Sequence, residues 1–245
     1  MLFERKKRLI DSAFFDGATD YHSHILFGVD DGVKELSESL DVLSYYESLG
    51  VKRVFFTPHV NLTYNDWTVI ETNFNLVQNR YSGTIELCLA AEYMLDSGFA
   101  IQMEQGLKCI DDHMVLVESS YLNKSANFDE TLYGIATEGF TPIIAHPERY
   151  LFMDINKYHK LKNCDYLFQL NLLSLSGMYG SQVKRRALYL LERGMYDLIG
   201  SDMHNLDLFK NHISEIRLSK SEHRSLMSII SSVKGDVSCF FDYCD

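Results

Sequence analysis

The sequence predicts an α/β fold of repeated strand–helix units, on three observations. Short apolar runs alternate with amphipathic segments about seven times along the 245 residues. The hydrophobic fraction, 46%, is enough for a sizeable core. Only three prolines occur and no low-complexity linker interrupts the chain, so it reads as one domain, 1–245, with 1–17 as an N-terminal arm. Repeated βα units imply parallel strands joined by right-handed crossovers. Seven of them favour closure into a barrel over an open, doubly wound sheet.

The elements follow in order. "GATDYHSHI" is the first strand. "KELSESLDVLSYYESLG" puts Leu36, Leu40, Leu43 and Tyr46 at helical spacing, with Gly50 as its stop. "VKRVFFTPH" is a strand ending at Pro58, and "WTVIETNFNLVQNR" a helix. "TIELCLAAE" is a strand, 101–107 is helical, and "HMVLVE" is the fourth strand. "NFDETLYGIATEG" is a helix and "TPIIAHPE" a strand; "INKYHKLKN" is a short helix and "YLFQLNL" a strand. "SQVKRRALYLLERG" is a helix, "MYDLIGSD" the seventh strand, and "SKSEHRSLMSIISSV" the closing helix.

Charge and cysteines narrow the function classes. The net charge of -11 repels nucleic acid and anionic membranes, although bound divalent cations would offset part of it. No apolar run approaches the roughly 20 residues of a membrane span, so no stable membrane insertion is expected. "MLFERKKRLIDSAFFDG" is basic but lacks the apolar stretch and cleavage site of a secretory signal. It reads as a solvated arm, with membrane-surface contact as the alternative. Cys88, Cys109, Cys164, Cys239 and Cys244 are odd in number and form no CxxC pair. That suits thiols as small core residues in a reducing cytoplasm. None has an arginine six positions later, so the Cys-x5-Arg loop of cysteine-based tyrosine phosphatases is absent.

The metal-type side chains fall at strand ends. His22 and His24 end the first strand, and Asp31 lies in the loop after it. His59 ends the second strand, Glu92 the third, Glu118 the fourth and His146 the fifth; Asp202 and His204 end the seventh. In a parallel barrel these ends meet at one rim, where barrel active sites are built. Residues two apart on an extended strand face one side, so His22 and His24 can grip one ion, and Asp202 and His204 repeat the spacing. Imidazole and carboxylate without thiolate suit Mn, Fe or Zn rather than Ca. Nine ligands exceed one centre and imply two or three ions. Singly, each has a bland reading: an unrelated HxH, a solvated strand-end glutamate, a satisfied buried histidine. Five of the nine histidines nevertheless end predicted strands, whereas His113, His159, His212 and His223 read as surface residues.

"DYHSH", "TPH", "AAE", "LVE", "AHPER" and "GSDMH", in this order, resemble the motifs of the polymerase-and-histidinol-phosphatase (PHP) superfamily. "HSHILFGVDDG", "IIAHPERY", "FQLNLLSLSGMYG" and "GSDMHN" are similar to its bacterial protein-tyrosine phosphatases encoded with capsule and exopolysaccharide genes. The resemblance runs from about Asp20 to Asn205. It implies a distorted (β/α)7 TIM-like barrel of PHP type with a trinuclear centre. The implied ligands are His22, His24, Asp31, His59, Glu92, Glu118, His146, Asp202 and His204. It also implies a phosphate-binding arginine, at Arg149. The family's second such arginine has no counterpart in "NLDLFKNH", where Lys210 is the substitute, as a point charge rather than a fork.

The expected activity is therefore hydrolysis of phosphotyrosine in proteins, the partner being a bacterial tyrosine kinase of capsule synthesis. Metal-activated hydroxide, manganese being the first choice of ion, attacks phosphorus in line while Arg149 holds the phosphoryl oxygens. Asp31 or His204 protonates the leaving oxygen. Tyr64, Trp67, Tyr121 and Phe128 are candidates to stack on the phenyl ring. Two alternatives stand beside this. One is a small-molecule phosphatase of the histidinol-phosphate kind. The other is a non-catalytic, metal-containing kinase adaptor.

Overall fold

The computed structural model describes residues 6–121 and 127–232. The chain enters through β1 (Lys7–Arg8) and a 3-10 turn at Leu9–Asp11, then reaches β2 (Thr19–Asp20). Helix α1 (Leu36–Leu49) leads to β3 (Arg53–Phe56) and β4 (His59–Val60). Helix α2 (Trp67–Arg80) leads to β5 (Glu86–Leu89) and β6 (Glu92–Met94). Next come α3 (Phe99–Gln105), β7 (Met114–Glu118), α4 (Phe128–Thr137) and β8 (Thr141–Ala145). Then follow α5 (Ile155–Lys162), β9 (Leu167–Asn171), α6 (Ser181–Glu192) and β10 (Leu198–Gly200). The last elements are α7 (Leu206–Glu215), β11 (Arg217–Leu218) and α8 (Lys220–Ser232).

Seven parallel staves make a distorted barrel. Strands β10-β9-β8-β7-β6-β4 form one sheet and β2-β3-β5 another. The second and third staves break at 57–58 and 90–91, so each changes sheets part-way along its length. Pro58, which has no N–H for a ladder, explains the first break. The ring closes where Tyr21 N–H donates to Ile199 O at 3.1 Å and Ser23 bridges Met203 in parallel. The open-sheet alternative is thereby set aside.

Strand alternation produces two apolar layers. Tyr21, Phe55, Cys88, Leu116, Ile143 and Leu198 fill the barrel interior. Their neighbours Val54, Phe56, Val115, Val117 and Ile144 point outwards, against the helices. This interior plug separates the two ends of the barrel. Helix ends follow local rules. Glu35 and Glu38 make a capping box on α1, and Gly50 stops it at φ 88°, which glycine adopts without strain. Asp66, Asp154 and Asn205 each accept a backbone N–H at the starts of α2, α5 and α7.

Three expectations change. The stretch from Lys6 is no solvated arm: Leu9, Phe14 and Phe15 are core residues, and β1 pairs antiparallel with β11. "NLDLFKNH" is not a loop: from Leu206 onwards it is the start of α7, which buries Phe209 and Ile213. The cysteines are not uniformly core residues: Cys88 is buried, but Cys109 is a half-buried free thiol and Cys164 an exposed one. Cys239 and Cys244 lie outside the described residues. No helix among the described residues is long and apolar enough to cross a membrane.

Candidate metal centre

The nine strand-end side chains do meet. Their ligand atoms fall into four overlapping groups: His24, Asp31, His59 and His204; His22, His24 and Asp202; His22, Glu92 and His146; His59, Glu92 and Glu118. His22, His24, His59 and Glu92 each belong to two groups. Such sharing suits several neighbouring ions rather than one.

Three of the histidines are held by neighbours. His22 Nδ1 donates to Gln169 Oε1 on β9 at 2.9 Å, and His24 Nδ1 to Asp30 Oδ2 at 2.8 Å. His204 Nδ1 donates to Asp202 O at 2.9 Å. Those bonds fix the tautomers and leave each Nε2 as a lone pair aimed inwards. Two glycines make the approach possible. A Cβ on Gly32 would lie 2.0 Å from His24 O, and one on Gly200 would lie 2.4 Å from His22 Cβ. His146 and Asp202 sit at φ 36° and 51°, left-handed backbone that costs energy for any residue but glycine.

The inward geometry fits cations. His22 Nε2 faces His24 Nε2 at 3.0 Å, two lone pairs with no proton between them in the neutral tautomers. Glu92, fully buried, presents Oε2 to His22 and His24 at 3.2 Å and to His59 Nδ1 at 3.0 Å, and Oε1 to His146 Nε2 at 3.1 Å. Glu92 Oε2 and His59 Nδ1 are buried and have no hydrogen-bond partner despite that short separation. Two donors at about 2.1 Å from one ion, at 90–109°, stand roughly 3.0–3.4 Å apart. The spacings fit residues that would hold divalent ions, and Glu92 faces four of the histidines at once.

The electrostatics agree. Burial presses the His22 imidazole towards its neutral form, and Glu92 and Asp202 reverse this, so its pKa is raised. Burial opposes the Glu92 charge too, but His22 and His59 hold that carboxyl well below the usual range. The cluster of carboxylates calls for positive charge, which divalent ions supply in place of protons.

A mouth of about 320 Å³ opens over this cluster, lined in part by Asp31, His59, Glu118, Arg149, Tyr179 and His204. Arg149 Nη1 donates to Asp202 Oδ2 at 2.8 Å, and its guanidinium lies between the rings of Tyr121 (4.1 Å) and Tyr179 (4.3 Å). Lys210 is elsewhere: its ammonium lies over Tyr45, 4.8 Å from the ring centre, and it does not line the mouth. Its position on exposed α7 turns it away from Arg149, so its expected phosphate role has no geometric support. Of the four candidate stacking residues, only Tyr121 reaches the mouth. Phe128 is core, and Trp67 bonds Glu71 on the outside of α2. Tyr64 is half-buried in the loop before α2. His113 and His159 are exposed, and His212 and His223 half-buried; none joins the cluster.

Sequence reasoning missed Asp30, Gln169, Asn171 and Tyr179. Asn171 Nδ2 donates to Asp202 Oδ2 at 2.7 Å and to Tyr179 OH at 3.2 Å. A signal existed: Gln169 and Asn171 are polar residues two apart in an otherwise apolar strand.

The family profile described as capsular polysaccharide synthesis, CpsB/CapC, matches residues 18–223. The chain belongs to the CpsB/CapC family. It is 30% identical to the tyrosine-protein phosphatase CpsB of Streptococcus pneumoniae over 202 residues, 77% of this chain and 83% of that protein. Over 218 residues, 80% of this chain and 81% of the other, it is 25% identical to the tyrosine-protein phosphatase YwqE of Bacillus subtilis. In fold it is similar to crystal structures of YwqE from Bacillus subtilis and CpsB from Streptococcus pneumoniae, metal-dependent tyrosine phosphatases. The TM-score there is 0.71 at 20% identity, covering 89% of this chain and 88% of that one. A histidinol phosphate phosphatase from Lactococcus lactis shares the fold more distantly, with a TM-score of 0.50 at 14% identity over 86% of this chain and 93% of that one. The CpsB/CapC chain described here thus has the PHP-type barrel that its motifs implied.

Proposed function

We propose that this chain is a metal-dependent protein-tyrosine phosphatase, a phosphoric monoester hydrolase. The observation that carries the reading is the convergence of nine ligand side chains beneath one arginine-bearing mouth. Membership in the CpsB/CapC family supports it, as do relatives that are tyrosine-protein phosphatases. The full ligand set and the retained Arg149 favour an enzyme over an adaptor.

His22, His24, Asp31, His59, Glu92, Glu118, His146, Asp202 and His204 would hold two or three divalent ions, manganese first and iron or zinc as alternatives. Bound there, the ions supply Lewis acidity, neutralising phosphoryl oxygens and making water ionise near neutral pH. The protein residues do the rest. Arg149, kept in place by Asp202, Tyr121 and Tyr179, presents its fork to the phosphoryl oxygens. Asp31 Oδ1 lies 3.5 Å from Nε2 of both His59 and His204 at the outer edge of the mouth. The bond to His204 holds the Asp31 carboxyl well below the usual carboxylate range. Of the two candidate proton donors, Asp31 is therefore held ionised, which leaves His204 as the residue we assign to the leaving oxygen.

The substrate we assign is a tyrosine-phosphorylated kinase of capsular polysaccharide synthesis, on the family's biological role. With such a substrate, we assign the enzyme to the cytoplasm. The test is release of p-nitrophenol from its phosphate with Mn²⁺. Activity should vanish with a chelator and fall about a hundredfold or more in His146→Ala, which deletes a ligand. Turnover that survives chelation would end the metal reading. Preference for histidinol phosphate over a phosphotyrosine peptide would move the assignment to the small-molecule class.

A further inference from the structure

The far end of the barrel carries a basic cleft that the phosphatase site does not use. A concavity of about 720 Å³ is lined by Lys6, Lys7, Arg8, Arg217 and Lys220, with Asp11 as the carboxylate in its wall. Two of the cations are engaged: Lys6 pairs with Glu222 at 2.9 Å and Arg8 with Asp11 at 2.7 Å. Lys7, Arg217 and Lys220 are exposed and make no ion pair among the described residues, although Arg217 lies close enough to help hold Asp11 ionised. Like-charged side chains crowd here in a chain of net charge -11, which otherwise has acid to spare for neutralising them. The arrangement is built, not floppy: β1 is paired to β11, and Leu9 N–H donates to Ile216 O at 2.9 Å.

Topology separates this cleft from the metal-lined mouth. Helix α7 starts just past His204, at the mouth, and its 10 residues lead to Arg217 in the cleft. At about 1.5 Å per residue the helix carries the chain roughly 15 Å towards the opposite end.

We propose that the cleft is a docking site for an acidic stretch of polypeptide on the phosphoprotein substrate, distinct from the stretch that enters the mouth. The proposal rests on the phosphatase reading above. Concavity decides the class of partner. A flat anionic bilayer cannot follow a groove, whereas a single acidic strand can lie along it. An extended linker covers about 3.3 Å per residue, so roughly ten residues between phosphotyrosine and acidic stretch span the distance around the barrel.

The test uses the full-length, Mn²⁺-loaded enzyme and two phosphotyrosine peptides. One carries an Asp/Glu stretch about ten residues from the phosphotyrosine; the other has Asn/Gln there. The acidic peptide should show a KM about tenfold lower at equal kcat. That advantage should vanish in the triple variant Lys7→Glu/Arg217→Glu/Lys220→Glu, and in wild type at about 1 M NaCl, where screening acts beyond about 3 Å. Hydrolysis of p-nitrophenyl phosphate should be unchanged in the variant. If the triple variant fails to fold, Lys220→Glu alone and the salt titration decide. Fluorescence anisotropy of the unphosphorylated acidic peptide reads docking without catalysis, so its failure is distinguishable from failure of the phosphatase reading. Equal KM values and no anisotropy change in wild type would overturn the proposal. So would an acidic-peptide advantage that survives charge reversal. Sedimentation with phosphatidylglycerol vesicles, lost in the triple variant and without any peptide effect, would overturn it in favour of a membrane contact.

Discussion

The carboxylate of Asp30, 2.8 Å from His24 Nδ1, and the amide of Gln169, 2.9 Å from His22 Nδ1, aim two imidazoles at the same point. Replacing Asp30 by Asn removes the charge that makes His24 a stronger donor. Metal affinity should drop about 10–100-fold with the fold intact, as read by calorimetric titration of Mn²⁺ into chelator-stripped protein. Tyr179 acts on Arg149 rather than on a ligand. Tyr179→Ala opens one face of the guanidinium and frees Asn171 from its phenol partner. We expect KM for p-nitrophenyl phosphate to rise about fivefold to thirtyfold with a small change in kcat, while Tyr179→Phe keeps most of the affinity. A larger loss in kcat than in KM would contradict the positioning role. That these nine side chains would cluster was legible in the sequence, because residue type and strand-end position both mark them. Asp30 and Tyr179 were not, because loop closure in three dimensions decides what they touch.

Among the elements, β10 shows how tightly backbone and site are matched. Gly200 faces His22, and an added Cβ would also come within 2.6 Å of Gln169 Nε2. Gly200→Ala should therefore cost about 1–3 kcal/mol in denaturant unfolding and weaken metal binding together, since either His22 or Gln169 must move. The 3-10 turn Pro147–Arg149 is anchored by Glu148, whose Oε1 accepts Asn171 N–H at 3.0 Å and Oε2 accepts Tyr196 O–H at 2.9 Å. Burial pushes the Glu148 carboxyl up to about 7 from 4.5. The folded state then holds this proton where the unfolded chain has released it. Its contribution is fully present below about pH 4.5 and is lost as pH rises through about 7, up to about 3 kcal/mol. Chemical denaturation of wild type against Glu148→Gln should show a smaller decline over that window in the variant; parallel curves would refute the assignment. Most helices were legible from apolar spacing, α2 almost to the residue. Helix α7 was not, because its apolar side is only Leu206, Phe209 and Ile213 amid polar neighbours. The breaks in the second and third staves escaped notice because an apolar run shows no gap where a strand changes sheets.

For the whole molecule, barrel closure gathers charges that no single stave could tolerate buried. Ions that bind this assembled cluster and not the unfolded chain would add to stability by mass action. At a hundred times Kd the gain is about 2.7 kcal/mol, or about 5–10 °C in Tm for a chain of this size. A melting curve with and without chelator checks it, and coincident curves would show that the cluster stands without ions. The count of seven units was enough to expect a barrel, because parallel units of this number bury both faces of their strands on closing. It did not reveal that the stretch from Lys6 is a structural part of the far end. That last feature has a mechanical result. Helix α7 is a single rod with His204 at one tip and, through β11, the hold on β1 at the other. Openings that melt the rod release both, so ions at one pole guard the opposite pole against proteases. Tryptic cutting at Lys6, Lys7 and Arg8 should slow as manganese is added.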